Sequence, residues 1–365
     1  MISIMRRLFI LACATSILIS CSTSSKVGST TILEPEKDHL TFDGIPTFES
    51  NLVWSQDGRY EAFTDMIKFK GKWYISFRDS YSHVWEEDGT AQGHIIVIAS
   101  DDGASWEKVS ELSEPGIDLR DPKMSITADG RLMLLMGGSK YGNIAVTKEC
   151  FERLSRVSLS SDGKTFTAPV RIQLDNVTGQ DWLWQVNWAR RKGYGFIKVG
   201  QFTLVSTTDG VKYRTVREFD NEPIAGDETC VRFLPDGTML TLSRRDKSKG
   251  ESSWWGVSKP PYKDWTFKGI PMSLGGPCFI IVDNSYCIIG TRWRKTGQMV
   301  ILKGDLEGNV TPACILESKG GGDCSYPGMV IEGNELWVSY YSRHEGSKPS
   351  IYLTKIPLNY FDSLK

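Results

Sequence analysis

The chain has 365 residues, with 43 Lys plus Arg against 44 Asp plus Glu and a formal net charge of −1. That balance, without any basic run, lacks the electrostatic footprint of a nucleic-acid or polyanion binder. Only four His are present, and the cysteines beyond residue 21 (Cys150, Cys230, Cys278, Cys287, Cys314 and Cys324) show no CxxC spacing, which argues against structural zinc. No metal or cofactor is expected.

Arg6 and Arg7 precede an apolar stretch from Leu8 to Ile19 that is short for a bilayer span. It runs into Leu18-Ile19-Ser20-Cys21, which resembles the bacterial lipobox, and the expected processing removes residues 1–20 and lipidates Cys21. Residues 21–40, Ser/Thr-rich at their start, read as a flexible tether. The remainder, 41–365, reads as one domain held at the bacterial cell envelope by its lipid alone, facing the periplasm or the cell surface. A monomer is expected.

Six hairpin-like units follow, each an apolar run, a turn and a second apolar run. They begin near residues 65, 121, 181, 228, 278 and 326, with turns around Gly71, Asp129-Gly130, Lys192-Gly193, Asp236-Gly237, Asp283-Asn284 and Glu332-Gly333. A second motif follows the first three: Ser100–Trp106, Ser160–Phe166 and Thr207–Tyr213 fit [ST]-x-D-G-x-x-aromatic. It is degraded at Ser258 to Trp265, and only Asp305 and Gly308 remain in unit five. Asp and Gly make a tight turn, and the aromatic plugs it against its own sheet. Repeats of roughly 45 to 60 residues with several strands each read as a β-propeller. The expected fold is all-β with six blades, five or seven being the alternatives, and Asn51–Trp54 is a candidate to complete the last blade and hide the ring's edges.

If the Asp turns join third and fourth strands, the opposite face collects the starts of first strands and the ends of second strands. Second strands end at Arg78, Arg244 with Arg245, Arg292 with Arg294, and Arg343 with His344. First strands start near Arg120-Asp121, Trp182 and Trp184, Asp227-Glu228, and Tyr326. The loop after Arg78 adds His83, Glu86, Glu87 and Asp88, and glycines at 275–276 and 320–322 fall on the same face. Arginine forks converging from several blades suit an anionic ligand.

These residues resemble the bacterial sialidase superfamily, six-bladed propellers with Asp-box repeats, over about residues 48–356. Asp227-Glu228 with the strand pair ending at Arg244 is similar to the segment holding the nucleophile's partner Glu and a triad Arg. Ser325-Tyr326-Pro327 is similar to the segment with the tyrosine nucleophile. The resemblance implies that Tyr326 attacks, that Glu228 is its base, that Arg78, Arg244 and Arg292 hold the substrate carboxylate, and that an acid after Arg78, Asp88 being the choice, protonates the leaving oxygen. Arg120, Asp121, His83 and Arg343 complete the expected substrate-binding set. A neutral Tyr avoids the repulsion between an anionic nucleophile and a carboxylate on the anomeric carbon. One departure is plain: the family's Arg before the first strand is missing from Phe63-Thr64-Asp65-Met66.

The expected activity is release of a terminal acidic sugar, sialic acid first, from an oligosaccharide or glycoconjugate by a retaining exo-glycosidase. The alternatives are a glycosidase or lyase for a uronic or other 2-keto sugar acid, with Tyr326 or His83 as acid/base, and a non-catalytic glycan-binding lipoprotein. A Tyr326–Glu228 hydrogen bond under three arginines favours the first. Two arginines with His83 over the pocket favour the second, and a shallow open face the third.

Overall fold

The computed structural model describes residues 28–34, 40–176, 179–219, 224, 226–245, 252–318 and 322–364. The leader, Cys21, Gly320 and Gly321 lie outside them. The described chain forms six sheets around one axis, at 60–112, 118–171, 187–218, 226–270, 274–316 and 324–357, numbered here as blades 1 to 6. The last blade is completed by Asn51–Trp54, the candidate closing strand, which pairs antiparallel with Ser350–Pro357. Thr30–Leu33, in the stretch read as tether, instead adds a parallel fifth strand beside Trp265–Ile270 of blade 4. Its ladder bonds hold it there, backed by Ser29, whose N–H donates to Asp264 at 2.7 Å.

The blade interiors read as continuous apolar runs because both faces of each sheet pack against neighbouring sheets. Lys72–Ser80 and Leu132–Tyr141 are buried almost throughout, whereas Glu107–Leu112, an outer strand, is mostly open. The core is therefore a ring of inter-blade seams. One seam stacks Trp73 of blade 1 on Trp337 of blade 6, with ring centroids 4.8 Å apart.

The S-x-D-G turns fall between third and fourth strands as expected. Asp102 Oδ1 accepts the N–H groups of Ala104 and Ser105, both at 2.8 Å. Asp162 and Asp209 repeat the arrangement. The glycines satisfy two demands at once. Gly163 has φ +79°, and a Cβ there would sit 2.3 Å from the Tyr74 hydroxyl of the preceding blade. Gly103 meets Trp337 in the same way. The motif is thus an inter-blade spacer as well as a turn. One turn differs from expectation: blade 3 reverses at Arg190-Arg191, between Ala189 and its partner Lys192, and Gly193 lies in the following strand.

One feature of the inner strands positions the site. In blades 1, 2, 4, 5 and 6 the first strand carries one extra residue against its partner, at Phe63-Thr64, Asp121-Pro122, Asp227-Glu228, Gly276-Pro277 and Tyr326-Pro327. A bulge of this kind re-aims a side chain. Phe63, Asp121, Gly276 and Tyr326 all have φ between +51° and +64°. Three of the five bulges carry a proline, which lacks the N–H that a regular ladder would need.

Gly163→Ala is expected to destabilise the protein by about 2–4 kcal/mol, the left-handed strain plus overpacking against Tyr74. Gly130→Ala, with φ +80° but nothing within 4 Å of a built Cβ, carries only the strain term of about 1–2 kcal/mol. Chemical unfolding of the two variants side by side measures the seam separately from the turn.

Candidate active site

The bulges bring their side chains to one end of the axis, where a cleft of about 540 Å³ opens. Its walls include Phe63, His83, Arg120, Asp121, Lys198 and Tyr326. Two residues expected from sequence meet at its base: Tyr326 Oη donates to Glu228 Oε1 at 2.6 Å. Glu228 is 1% exposed and is held by three blades. Arg244 Nη1 of its own blade donates to Oε1 at 2.7 Å, and the Gly276 N–H of blade 5 donates to Oε2 at 2.8 Å. Lys198 Nζ lies 3.8 Å from Oε1.

These partners decide the charge state. Burial alone would push the Glu228 pKa up, but Arg244, Lys198 and the hydrogen bonds more than reverse it and hold the carboxyl below its ordinary value. The neighbouring phenol moves the other way. Burial and then the Glu228 charge raise Tyr326 well above 10, so the resting pair is neutral Tyr and anionic Glu. The Tyr326 ring is clamped by Phe63 and Trp184, at centroid distances of 5.3 and 5.2 Å, with Lys123 Nζ 5.3 Å away.

Arginines gather beside this pair, but they are not the set expected. Arg292 and Arg294 end the second strand of blade 5, and neither guanidinium makes a hydrogen bond or ion pair with a described residue; Arg292 Nε is buried without a partner. Burial, then repulsion from Arg244 and Arg292, lowers the pKa of Arg294, which shows how closely the three cations crowd. Arg78, expected in the clamp, is fully enclosed. It gives Nε to Asp118 at 2.8 Å and Nη1 to the Ser82 carbonyl at 2.8 Å, so it braces the loop after blade 1's second strand and does not face the cleft. Arg343 is exposed on the outer loop of blade 6 and does not line the cleft. Arg120 does line it, but it is engaged with Asp118 at 3.3 Å, the His83 carbonyl and the Phe63 ring.

The loop after Arg78 also departs from expectation. Asp88 is exposed, and its Oδ1 accepts the Thr90 N–H at 2.9 Å and the Thr90 hydroxyl at 2.7 Å. It is a turn aspartate outside the cleft, not an acid aimed into it. Glu86 is taken by Ser80 and the Tyr81 N–H, and Glu87 is exposed. His83 is the member of this loop that reaches the cleft. Its Nδ1 lies 2.7 Å from the Tyr60 hydroxyl, which donates its one proton to Asp323 Oδ2 at 2.7 Å. Nδ1 must then be the protonated nitrogen, leaving Nε2 as an acceptor. His83 is exposed as a whole residue, but desolvation of its ring against Tyr60 and Phe63, then the Arg120 cation, lowers its pKa to about 4.

Sequence reasoning missed Lys198, Tyr60 and Asp323. Lys198 follows the second strand of blade 3, at the strand end where Arg78, Arg244 and Arg292 stand in their own blades, and its charge was the available signal. It sits over the Trp184 ring at 4.6 Å and beside Asp227 at 3.3 Å. Trp182 lines the cleft, while Trp184 is core beneath Tyr326. Among the described residues no group of three or more His, Cys, Asp or Glu is placed to hold a metal ion.

No family model and no curated protein matches the chain. Solved structures do match its fold. A protein of unknown function from Dyadobacter fermentans superposes with a TM-score of 0.71 at 15% identity, over 86% of this chain and 99% of that one. NanB sialidase from Streptococcus pneumoniae gives 0.64 at 11%, over 85% and 71%. An α-L-arabinanase from Penicillium chrysogenum gives 0.62 at 15%, over 85% and 98%. At these identities the likeness establishes the six-bladed propeller fold.

With desolvation and the Arg120 cation both opposing its charge, His83 is expected to stay neutral until pH falls to about 4. An NMR titration of the His83 imidazole should give that midpoint. Tyr60→Phe, which removes the oxygen that Nδ1–H donates to, should move it or mix the tautomers.

Proposed function

We propose that the chain is a retaining, exo-acting glycoside hydrolase that releases a terminal acidic sugar, with sialic acid the first candidate. The observation that carries this is the 2.6 Å hydrogen bond from Tyr326 to an anionic Glu228, set beside two arginines, Arg292 and Arg294, that have no partner among the described residues. That pairing suits a substrate whose anomeric carbon bears a carboxylate. An anionic nucleophile would be repelled; a neutral phenol that loses its proton only as it attacks would not.

Arg292 and Arg294, with Arg244, take the substrate carboxylate. Tyr326 Oη attacks the anomeric carbon while Glu228 accepts the phenolic proton, and an acid on the opposite wall protonates the departing oxygen. Water then cleaves the tyrosyl–sugar bond, and Glu228 returns the proton to Tyr326. His83 Nε2 accepts a hydrogen bond from a substrate hydroxyl. Retention follows from two displacements at one carbon. The glycan-binding fold relatives, NanB sialidase and the arabinanase, are consistent with an oligosaccharide substrate. A lipid on Cys21 would keep the enzyme at the bacterial envelope.

A second reading, a uronic or other 2-keto sugar acid, is favoured by one observation. Arg78 is withdrawn and no arginine stands at Phe63-Thr64, so two of the three expected clamp residues remain and Arg294 must stand in for the third. The purified chain is expected to hydrolyse a fluorogenic α-linked N-acetylneuraminide, and Tyr326→Phe to lose about a thousandfold or more in kcat. Full activity in the variant sinks the nucleophile assignment. A folded wild type inactive on sialosides but active on uronosides moves the substrate to the second reading. Glycan binding without turnover of any acidic sugar replaces the enzyme reading with a binding protein.

A further inference from the structure

Among the cleft carboxyls, Asp121 stands apart. Glu228 has three hydrogen-bond donors, and Asp227 lies 3.3 Å from Lys198 and 3.6 Å from Arg244. Asp121 lines the same cleft and is 9% exposed, yet its carboxyl makes no hydrogen bond or ion pair with any described residue. Its backbone is unusual as well. It occupies the bulge of blade 2 with φ +52°, directly before Pro122, where a left-handed conformation is disfavoured. A buried, unpartnered acid on a strained backbone costs stability, so the surrounding structure must impose it. Tyr326, the proposed nucleophile, is presented by the same device, in the left-handed position of a bulge and before Pro327.

We propose that Asp121 is the general acid/base of the reaction, so that the acid comes from the first strand of blade 2 rather than from the loop after Arg78. This rests on the reading of Tyr326 as nucleophile. In the first step the Asp121 carboxyl gives its proton to the glycosidic oxygen. The bond between that oxygen and the anomeric carbon breaks, the Tyr326 Oη–carbon bond forms, and the phenolic proton passes to Glu228. In the second step the Asp121 carboxylate takes a proton from water as the water oxygen attacks the anomeric carbon. The tyrosyl bond breaks, and Glu228 returns its proton to Tyr326. Each residue ends as it began, and one water is consumed.

The other acids in reach are unsuited. Asp88 is exposed in its own turn, Glu86 is occupied by Ser80, and His83 carries no transferable proton on the nitrogen left for the cleft. The electrostatics agree. Burial raises the Asp121 pKa and the Glu228 charge adds to it, against Lys198, Arg120 and Lys123, leaving a carboxyl that keeps its proton above the ordinary aspartate range.

The test is Asp121→Asn on two substrates sharing one acidic sugar, one with an activated phenolic leaving group and one linked to another sugar. Asn tolerates left-handed backbone, so the bulge should persist, which a melting curve checks. The sugar-linked substrate is expected to lose about 10²–10⁴-fold in kcat/KM. The phenolic substrate, which needs little protonation, should lose far less in its first step. The variant should then accumulate a sugar adduct on Tyr326, visible by intact mass, and added azide should speed turnover and yield a glycosyl azide. Equal losses on both substrates without azide rescue, or no loss on either, overturn the assignment. If Tyr326→Phe is inactive while Asp121→Asn is normal, only the Asp121 proposal falls. A wild type inactive on every acidic sugar removes both.

Discussion

Keeping one buried carboxylate charged is the constraint on which the cleft depends. Glu228 sits where water cannot solvate it, and an isolated anion there would simply take up a proton. Three blades prevent that: Arg244 from its own, the Gly276 N–H from the next and Tyr326 from the one after. Removing a partner from such an arrangement leaves an uncompensated charge, so the relative placement of blades 4, 5 and 6 is fixed by electrostatics as well as by apolar seams. The same carboxylate raises the phenol and, with Asp227, offsets some of the arginine charge. What remains around Arg292 and Arg294 is positive charge without a partner among the described residues.

The bulges are the structural means to this end. A regular first strand would alternate side chains between the two faces of its blade and send none along the axis. One extra residue breaks that alternation and turns a side chain, or in Gly276 a backbone N–H, inward. A Cβ on Gly276 would stand 2.3 Å from the Tyr326 ring, so glycine is required there for space as well as for its φ of +57°.

The fold was legible because its signals are local. S-x-D-G turns and hairpins at a regular period give blade number, and the apolar pattern of Asn51–Trp54 gives the closing strand. Tyr326 and Glu228 were legible through their short flanking motifs. Arg78 and Asp88 were misread because strand phase predicts which face a residue reaches but not its partner. Asp118 captures Arg78, and Thr90 captures Asp88, both through contacts that no periodicity encodes. Tyr60 and Asp323 are 263 residues apart, and no pattern links them to His83. The proline after Asp121 was a usable sign, since it repeats after Gly276 and Tyr326 within runs that otherwise read as strands.

Closure of the ring by Asn51–Trp54 has a consequence for how the molecule comes into being. Leu52 pairs with Tyr352, so the two ends of a 300-residue span must meet before the last sheet is whole. Such long-range closure is entropically slow, and it waits until the sixth blade has left the ribosome. Blade 6 also delivers Tyr326 to Glu228. A nascent chain with five blades therefore holds the carboxylate and its arginine but not the phenol. The Tyr326–Glu228 contact is therefore assembled in the same late event that seals the ring.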